Sequence, residues 1–253
     1  MRFPQSGAAN LLRGVLGAAL HDLDEAAYAR FFAPSGLDGP SGLANRPRPF
    51  VLRAEHLNGH TVAAGEAFHF DLNLFDMREV WVSLLRQAFG SLRGAELTGV
   101  SGDETPLVLP LDPPPDPVKR VRVEFLTPTE LKIARGLAPT PEFPVLATRI
   151  RDRISTLRQL YDDGPLSIDF AGFGQRAAAV RMTDCQVRPV TASRRSRATG
   201  QTHALGGFVG EACYEGELAE FLPYLLAAQW TGVGRQTSWG KGAVTINADR
   251  VVN

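Results

Sequence analysis

The chain has 253 residues, 44% apolar and 21% charged, and its 27 basic and 27 acidic side chains cancel. This composition excludes a disordered tail and suffices for one large or two small cores. The sequence holds no run of about 18 apolar residues that could span a membrane, the start MRFPQSGAAN lacks the pattern of a secretion signal, and Cys185 and Cys213 form neither a CxxC pair nor a disulfide framework; a reducing, cytoplasmic setting is expected.

The neutrality conceals a local bias. From Lys119 to His203 there are 15 basic and 8 acidic residues, and of all 27 cations 24 are arginine. Arginine is suited to phosphate and base contacts. An arginine-rich composition explains the ratio but not the clustering.

In chain order, the first element is a helix expected over Ala8–Ala29, with Leu12, Val15, Leu16, Ala19, Leu20 and Leu23 on one face. His21 lies opposite, with Gly14, Gly17 and Tyr28 roughly beside it, which leaves either a shallow strip for an approaching backbone or plain packing. A Pro/Gly loop follows, then a strand at Phe50–Leu52 and a turn at Asn58-Gly59. Phe68, Phe70, Leu72 and Leu74 alternate with His69, Asp71 and Asn73, which predicts a half-buried strand. A helix over Met77–Ala88 buries Trp81, Leu84, Leu85 and Ala88, and a short strand is expected near Ala95–Val100.

Residues 102–118 hold six prolines and read as a stiff linker. The boundaries drawn are a domain over 1–103, a linker over 104–118 and a second domain over 119–253. In the second domain Val121, Val123 and Phe125 alternate in a strand, and a helix over Val145–Tyr161 carries Leu146, Ile150, Ile154, Leu157 and Tyr161 on one stripe. Strands near Arg176–Val190 and Gln201–Tyr214, a helix over Leu218–Gln229, a glycine loop and a strand over Ala243–Asn247 complete the order β-α-β-β-α-β. The fold class predicted is α+β, two tandem ferredoxin-like domains, the first lacking its first strand. That gap suggests a chain that begins upstream of Met1.

Two segments carry candidate chemistry. The first runs Gly232-Val-Gly234-Arg235-Gln-Thr-Ser-Trp239-Gly240-Lys241-Gly242. It fails as a nucleotide P-loop in spacing and in context, because it leaves a helix and enters a strand. It remains a run of glycine backbone bearing Arg235, Trp239 and Lys241, suited to a phosphate chain or to a purely structural turn. The second is Arg188-Pro-Val-Thr-Ala-Ser-Arg194-Arg195-Ser-Arg197, a basic hairpin followed by His203, able to grip a duplex end or a row of phosphates, or else a solvated loop. The histidines suggest no metal site: His56 and His60 are spaced H-x-x-x-H without a third ligand, and His69 is expected at the surface. No G-x-S-x-G nucleophile elbow occurs.

Six elements in order then resemble one family. Leu12-Arg13-Gly14-Val15-Leu16-Gly17, Arg48-Pro49-Phe50-Val51-Leu52-Arg53, Leu72-Asn73-Leu74-Phe75, Phe125-Leu126-Thr127-Pro128, Gly206-Gly207-Phe208-Val209-Gly210-Glu211 and the G-x-G-x5-G-x-G loop at 232–242 resemble the CRISPR-associated endoribonucleases of the RAMP superfamily that process precursor CRISPR RNA. The resemblance implies tandem ferredoxin-like domains and cleavage without metal or cofactor, in which a ribose 2′-OH attacks the adjacent phosphate to leave a 2′,3′-cyclic phosphate and a 5′-OH. Such chemistry needs a base, an acid and cations, and an imidazole titrates in the useful range. By resemblance His21 is the catalytic histidine and Tyr28 its assistant. Arg188, Arg194, Arg195, Arg197, His203, Gly232, Gly234, Arg235, Trp239, Gly240, Lys241 and Gly242 are the RNA-binding set. Some relatives carry histidine where this chain has Gly232. The implied partners are CRISPR repeat RNA and subunits of a CRISPR effector complex. A non-catalytic RNA-binding subunit of such a complex is the alternative function.

Overall fold

The structure, a computed structural model, describes residues 1–34, 46–76, 81–90, 96, 98–99, 106–191, 193–195 and 202–250, with 193–195, 202–204 and 249–250 by backbone alone. It divides into two compact units. The first comprises Met1–Val108, Thr156–Pro165 and Ser238–Gly240; the second comprises Leu109–Ser155, Leu166–Thr237 and Lys241–Asn253.

In the first unit, α1 (Ala8–Leu23) buries Leu12, Leu16, Ala19 and Leu20, as their spacing predicts. The single helix expected to Ala29 is in fact two. Asp24 takes an extended conformation (φ −158°), and its carboxylate accepts the N–H of Ala27 at 2.9 Å. An aspartate that satisfies a backbone donor in this way ends one helix and caps the next. The next is α2 (Glu25–Phe32), and Leu23, left at the break, is exposed. Gly17 offers no open strip: it is buried, with the Phe32 ring about its α-carbon, whereas Gly14 is open.

The strands β1 (Phe50–Arg53) and β2 (Asp71–Leu74) pair antiparallel, Phe50 opposite Leu74 and Arg53 opposite Asp71. β2 is shorter than the alternation suggests. Phe68 and Phe70 leave the ladder and instead pack on Phe3 and Phe89, with ring centres 5.2 and 4.9 Å apart. Before α1, Arg2 bridges Thr61, flanked by Phe3 N–H to His60 O at 2.9 Å and Val62 N–H to Met1 O at 2.8 Å. A single bridge thus stands where no strand is expected. The helix α3 (Val82–Gly90) buries Leu85, Ala88 and Phe89, with Trp81 buried just ahead of it. The expected helix start at 77–80 lies outside the described residues, as does most of the strand expected at 95–100; Glu96, Thr98 and Gly99 are not in a strand.

The second unit holds β3 (Val118–Thr129), α4 (Phe143–Tyr161), α5 (Phe170–Ala178), β4 (Arg181–Val190), β5 (Ser193–Arg195), β6 (Thr202–Ala204), β7 (Gly207–Glu215), α6 (Leu222–Thr231) and β8 (Val244–Arg250), α4 ending among the residues of the first. Its four-stranded antiparallel sheet runs β4-β7-β3-β8. That places the second, third, first and fourth main strands side by side, the ferredoxin-like order. Val121, Val123 and Phe125 join Leu146, Ile150, Tyr214 and Leu225 in one core. Each such aliphatic or aromatic burial stabilises by roughly 1.5–3 kcal/mol.

α5 is a correction, since a strand was expected to begin at Arg176. Asp169 caps this helix through Gly172 N–H at 2.9 Å, and Phe173 packs edge-on against Phe221, 4.9 Å between ring centres. α6 begins at Leu222 rather than Leu218, whose N–H is drawn to Val118 O at 2.9 Å. The fold is α+β, with tandem ferredoxin-like units, the first showing a two-stranded sheet among the described residues.

Candidate functional site

His21 sits in the last turn of α1, with its side chain 66% exposed and Nδ1 3.6 Å from the still more exposed Asp22 carboxylate. Such a pair contributes little. The aromatic packing around it is more definite. The His21 ring stands edge-on to Tyr28 at 5.1 Å, Tyr28 stacks on Phe32 at 5.4 Å, and the Arg13 guanidinium lies 5.0 Å from the Phe32 ring and 5.2 Å from that of Trp239. All five belong to the first unit, Trp239 through Ser238–Gly240. The break at Asp24 therefore keeps His21 and Tyr28 together, although they stand on different helices. Sequence reasoning names His21, Tyr28 and Trp239. It passes over Phe32 and over Arg13, one arginine among 24.

The glycine loop is tied to the end of β3. Arg235 N–H donates to Glu130 O at 3.2 Å, Gly242 N–H to Pro128 O at 3.2 Å, and Val233 N–H to Gly242 O at 2.9 Å. Gly234 (φ +77°) and Gly242 (φ +69°) occupy the left-handed region, and a β-carbon there would stand 2.2 Å from Glu130 O and 1.9 Å from Val233 O. Only glycine fits both. Lys241 is 3% exposed; its ammonium lies 2.9 Å from Glu130 Oε2 and donates to Gln236 Oε1 at 3.0 Å. Burial lowers its pKa, opposed by the hydrogen bond to Glu130. This cation is engaged within its own unit. Arg235, 56% exposed and 3.8 Å from the same carboxylate, faces solvent. Glu130, the anchor, was not singled out; only its place near the end of a predicted strand could have marked it. Gly232 closes α6 through its N–H to Ala228 O at 2.8 Å, and Gly240 also has a positive φ.

In the hairpin, β5 pairs with β6 so that Arg194 is opposite His203 and Arg195 opposite Thr202. Arg197 lies outside the described residues. Arg188 is exposed on β4, the edge strand of the main sheet. His56 does not meet His60: its ring stacks on His69 at 4.6 Å, with Nε2 2.9 Å from the His69 carbonyl. Among the described residues no three His, Cys, Asp or Glu side chains converge as metal ligands, and no helix is long and apolar enough to cross a membrane.

The family described as CRISPR-associated endoribonuclease Cas6 matches residues 123–244. A Cas6 product complex superposes with a TM-score of 0.60 at 17% identity, covering 97% of this chain and 95% of that one. Another Cas6 product complex gives 0.56 at 19% identity over 93% and 91%. A Thermus thermophilus Cas6 gives 0.51 at 15% identity over 96% and 93%. At such identity the structures establish a shared fold. No curated protein sequence matches. Residues 123–244 thus match the model of the CRISPR-associated endoribonuclease Cas6 family, and the chain shares its fold with solved Cas6 structures.

Proposed function

We propose that the chain cuts precursor CRISPR RNA within its repeats by metal-independent attack of a ribose 2′-OH on the adjacent phosphorus. RNA carries its own nucleophile in that hydroxyl, so no water need be activated. Loss of the 2′-OH proton lets the O2′–P bond form. The P–O5′ bond then breaks and the leaving oxygen takes a proton, giving a 2′,3′-cyclic phosphate and a 5′-OH. His21 moves the proton and Tyr28 orients its ring. The observation that carries the assignment is the solvent-exposed imidazole held edge-on by Tyr28, 5.1 Å between ring centres. Arg188, Arg194, Arg195, Arg197 and Arg235 bind phosphates of the RNA.

The test is single-turnover cleavage of cognate repeat RNA in EDTA. One cut, abolished by a 2′-deoxy substitution just upstream, is expected. His21→Ala should slow it by about 10²–10⁴-fold and leave binding of the 2′-deoxy RNA intact. Cleavage that requires a divalent ion would reject the mechanism. Unaltered cleavage by His21→Ala would remove this histidine from the site. Tight binding without any cut would instead favour an RNA-binding subunit.

A further inference from the structure

Among the described residues no carboxylate pairs with Arg48. This arginine lies in the run Arg46-Pro47-Arg48-Pro49 ahead of β1. The two prolines fix their own φ and push Arg46 and Arg48 towards extended backbone, so the run behaves as a stiff track. It is fastened at three points. The Tyr161 hydroxyl donates to Pro47 O at 2.6 Å, Phe75 N–H donates to Pro49 O at 2.8 Å, and Phe50 packs on Phe31 and Phe32 with ring centres 5.8 and 5.5 Å away. Phe32 is the ring on which Tyr28 stacks. The Arg48 side chain, carried on this rigid segment, lies within electrostatic reach of Tyr28, which stands edge-on to His21.

The guanidinium is half-buried there, and its Nε is shielded from solvent without a hydrogen-bond partner among the described residues. No carboxylate among them pairs with it. Desolvation lowers its pKa, and the groups that oppose this are the phenols of Tyr161 and Tyr28. An arginine stays protonated in proteins, and a withdrawn charge without a counter-ion is costly. A fold that holds such a group within electrostatic reach of Tyr28, the ring that packs on the exposed imidazole of His21, is prepared for an anion that arrives from outside.

We propose that Arg48 binds the scissile phosphate of the RNA and stabilises its charge as the 2′-oxygen attacks. The proposal rests on the His21–Tyr28 reading of the active site. Guanidinium and phosphate match as a two-point fork, and the charge that grows on the phosphoryl oxygens makes this contact strongest in the transition state.

The experiment compares wild type, Arg48→Ala, Arg48→Lys and His21→Ala in two readouts. These are the single-turnover cleavage rate of repeat RNA and the salt dependence of binding to the uncleavable 2′-deoxy RNA. Arg48→Ala is expected to slow cleavage by about 10²–10³-fold and to reduce the slope of log K against log salt by about 0.7, one phosphate's worth on a single strand. Arg48→Lys should restore the slope and only part of the rate. An unchanged rate, or a slower rate with an unchanged slope, would overturn the proposal, because a purely structural arginine releases no counter-ion. If Arg48→Ala does not fold, Arg48→Gln, which keeps the length of the stem and drops the charge, must show the same pair of losses. Full activity in His21→Ala with both losses in Arg48→Ala would refute the histidine assignment and leave the phosphate contact standing. The reverse pattern would refute the phosphate contact alone.

Discussion

Replacing Lys241 by methionine separates two roles that the glycine loop could give this residue, anchoring and RNA binding. Lys241 is 3% exposed, and its ammonium lies 2.9 Å from Glu130, whose side chain is itself only 11% exposed. Methionine keeps most of the stem and removes the charge, so Glu130 is left buried without its nearest cation. Breaking a buried pair from one side costs about 3–5 kcal/mol. Arg235, 3.8 Å from the same oxygen and free to swing from solvent, offsets part of this, so the lower end applies, about 3 kcal/mol. At a urea slope of about 2 kcal/mol per molar, the unfolding midpoint of the second unit should fall by about 1.5 M. The double variant Lys241→Met with Glu130→Gln leaves no uncompensated charge and should recover most of the loss. Binding of 2′-deoxy repeat RNA by Lys241→Met should keep its wild-type salt slope, because the ammonium is turned towards Glu130. Arg235→Ala should do the opposite, lowering the slope by about 0.7 with little effect on the midpoint. A Lys241→Met protein with an unmoved midpoint and a shallower slope would refute this reasoning and return Lys241 to the RNA.

Other perturbations follow from the same structure. Asp24→Ala removes the carboxylate that caps α2 through Ala27 N–H at 2.9 Å; a loss of about 1 kcal/mol is expected in thermal or urea unfolding, with slower cleavage as the His21–Tyr28 angle loosens. Tyr214 is fully buried, its hydroxyl donates to Pro141 O at 2.7 Å, and desolvation raises its pKa well above the usual phenol value. Its contribution is complete below pH ~10 and is lost above it, where the unfolded phenol ionises and the buried one does not, at about 1.4 kcal/mol per pH unit. Urea unfolding between pH 7 and 11 should show Tyr214→Phe less stable at neutrality by about 1–3 kcal/mol, since Pro141 O loses its donor, and without that share of the alkaline decline. Gly242→Ala forces a β-carbon to 1.9 Å from Val233 O at φ +69°; the cost should exceed the ~1–2 kcal/mol of left-handed strain alone, read as a lowered melting temperature.

The elements most legible in the sequence are those whose periodicity matches their burial. The α4 stripe Leu146, Ile150, Ile154, Leu157 and Tyr161 is buried throughout, and β3 buries Val121, Val123 and Phe125 in strict alternation. Both have one apolar face against a core, so the period survives in the letters. The errors fall where one local hydrogen bond outweighs the pattern. Asp24 interrupts an apolar stripe that continues on either side of it, because its carboxylate meets a backbone donor that the helix would otherwise leave unpaired. Asp169 does the same for α5, whose two glycines, Gly172 and Gly174, hide the helical spacing of Phe170, Phe173 and Ala177. Capping is a single-residue effect of about 1 kcal/mol, invisible to a window that averages hydrophobicity.

The candidate site was legible by residue type and not by partnership. His21 and Tyr28, seven apart, would share a face on one continuous helix; they meet on two, because the cap at Asp24 turns the chain by little enough to keep their rings 5.1 Å apart. Lys241 and Arg235 look alike in a glycine loop, two cations six residues apart. What distinguishes them is Glu130, more than 100 residues earlier in the chain and brought to the loop only by the pairing of β3 with β8. A sequence states which residues carry charge, whereas the tertiary fold decides which charges are already answered. Arg48 illustrates the converse. Nothing in the run Arg46-Pro47-Arg48-Pro49 marks one arginine above the other, and only the absence of a described anion around a half-buried guanidinium singles it out. For a protein proposed to bind a polyanion, the unanswered cation is the more informative signal.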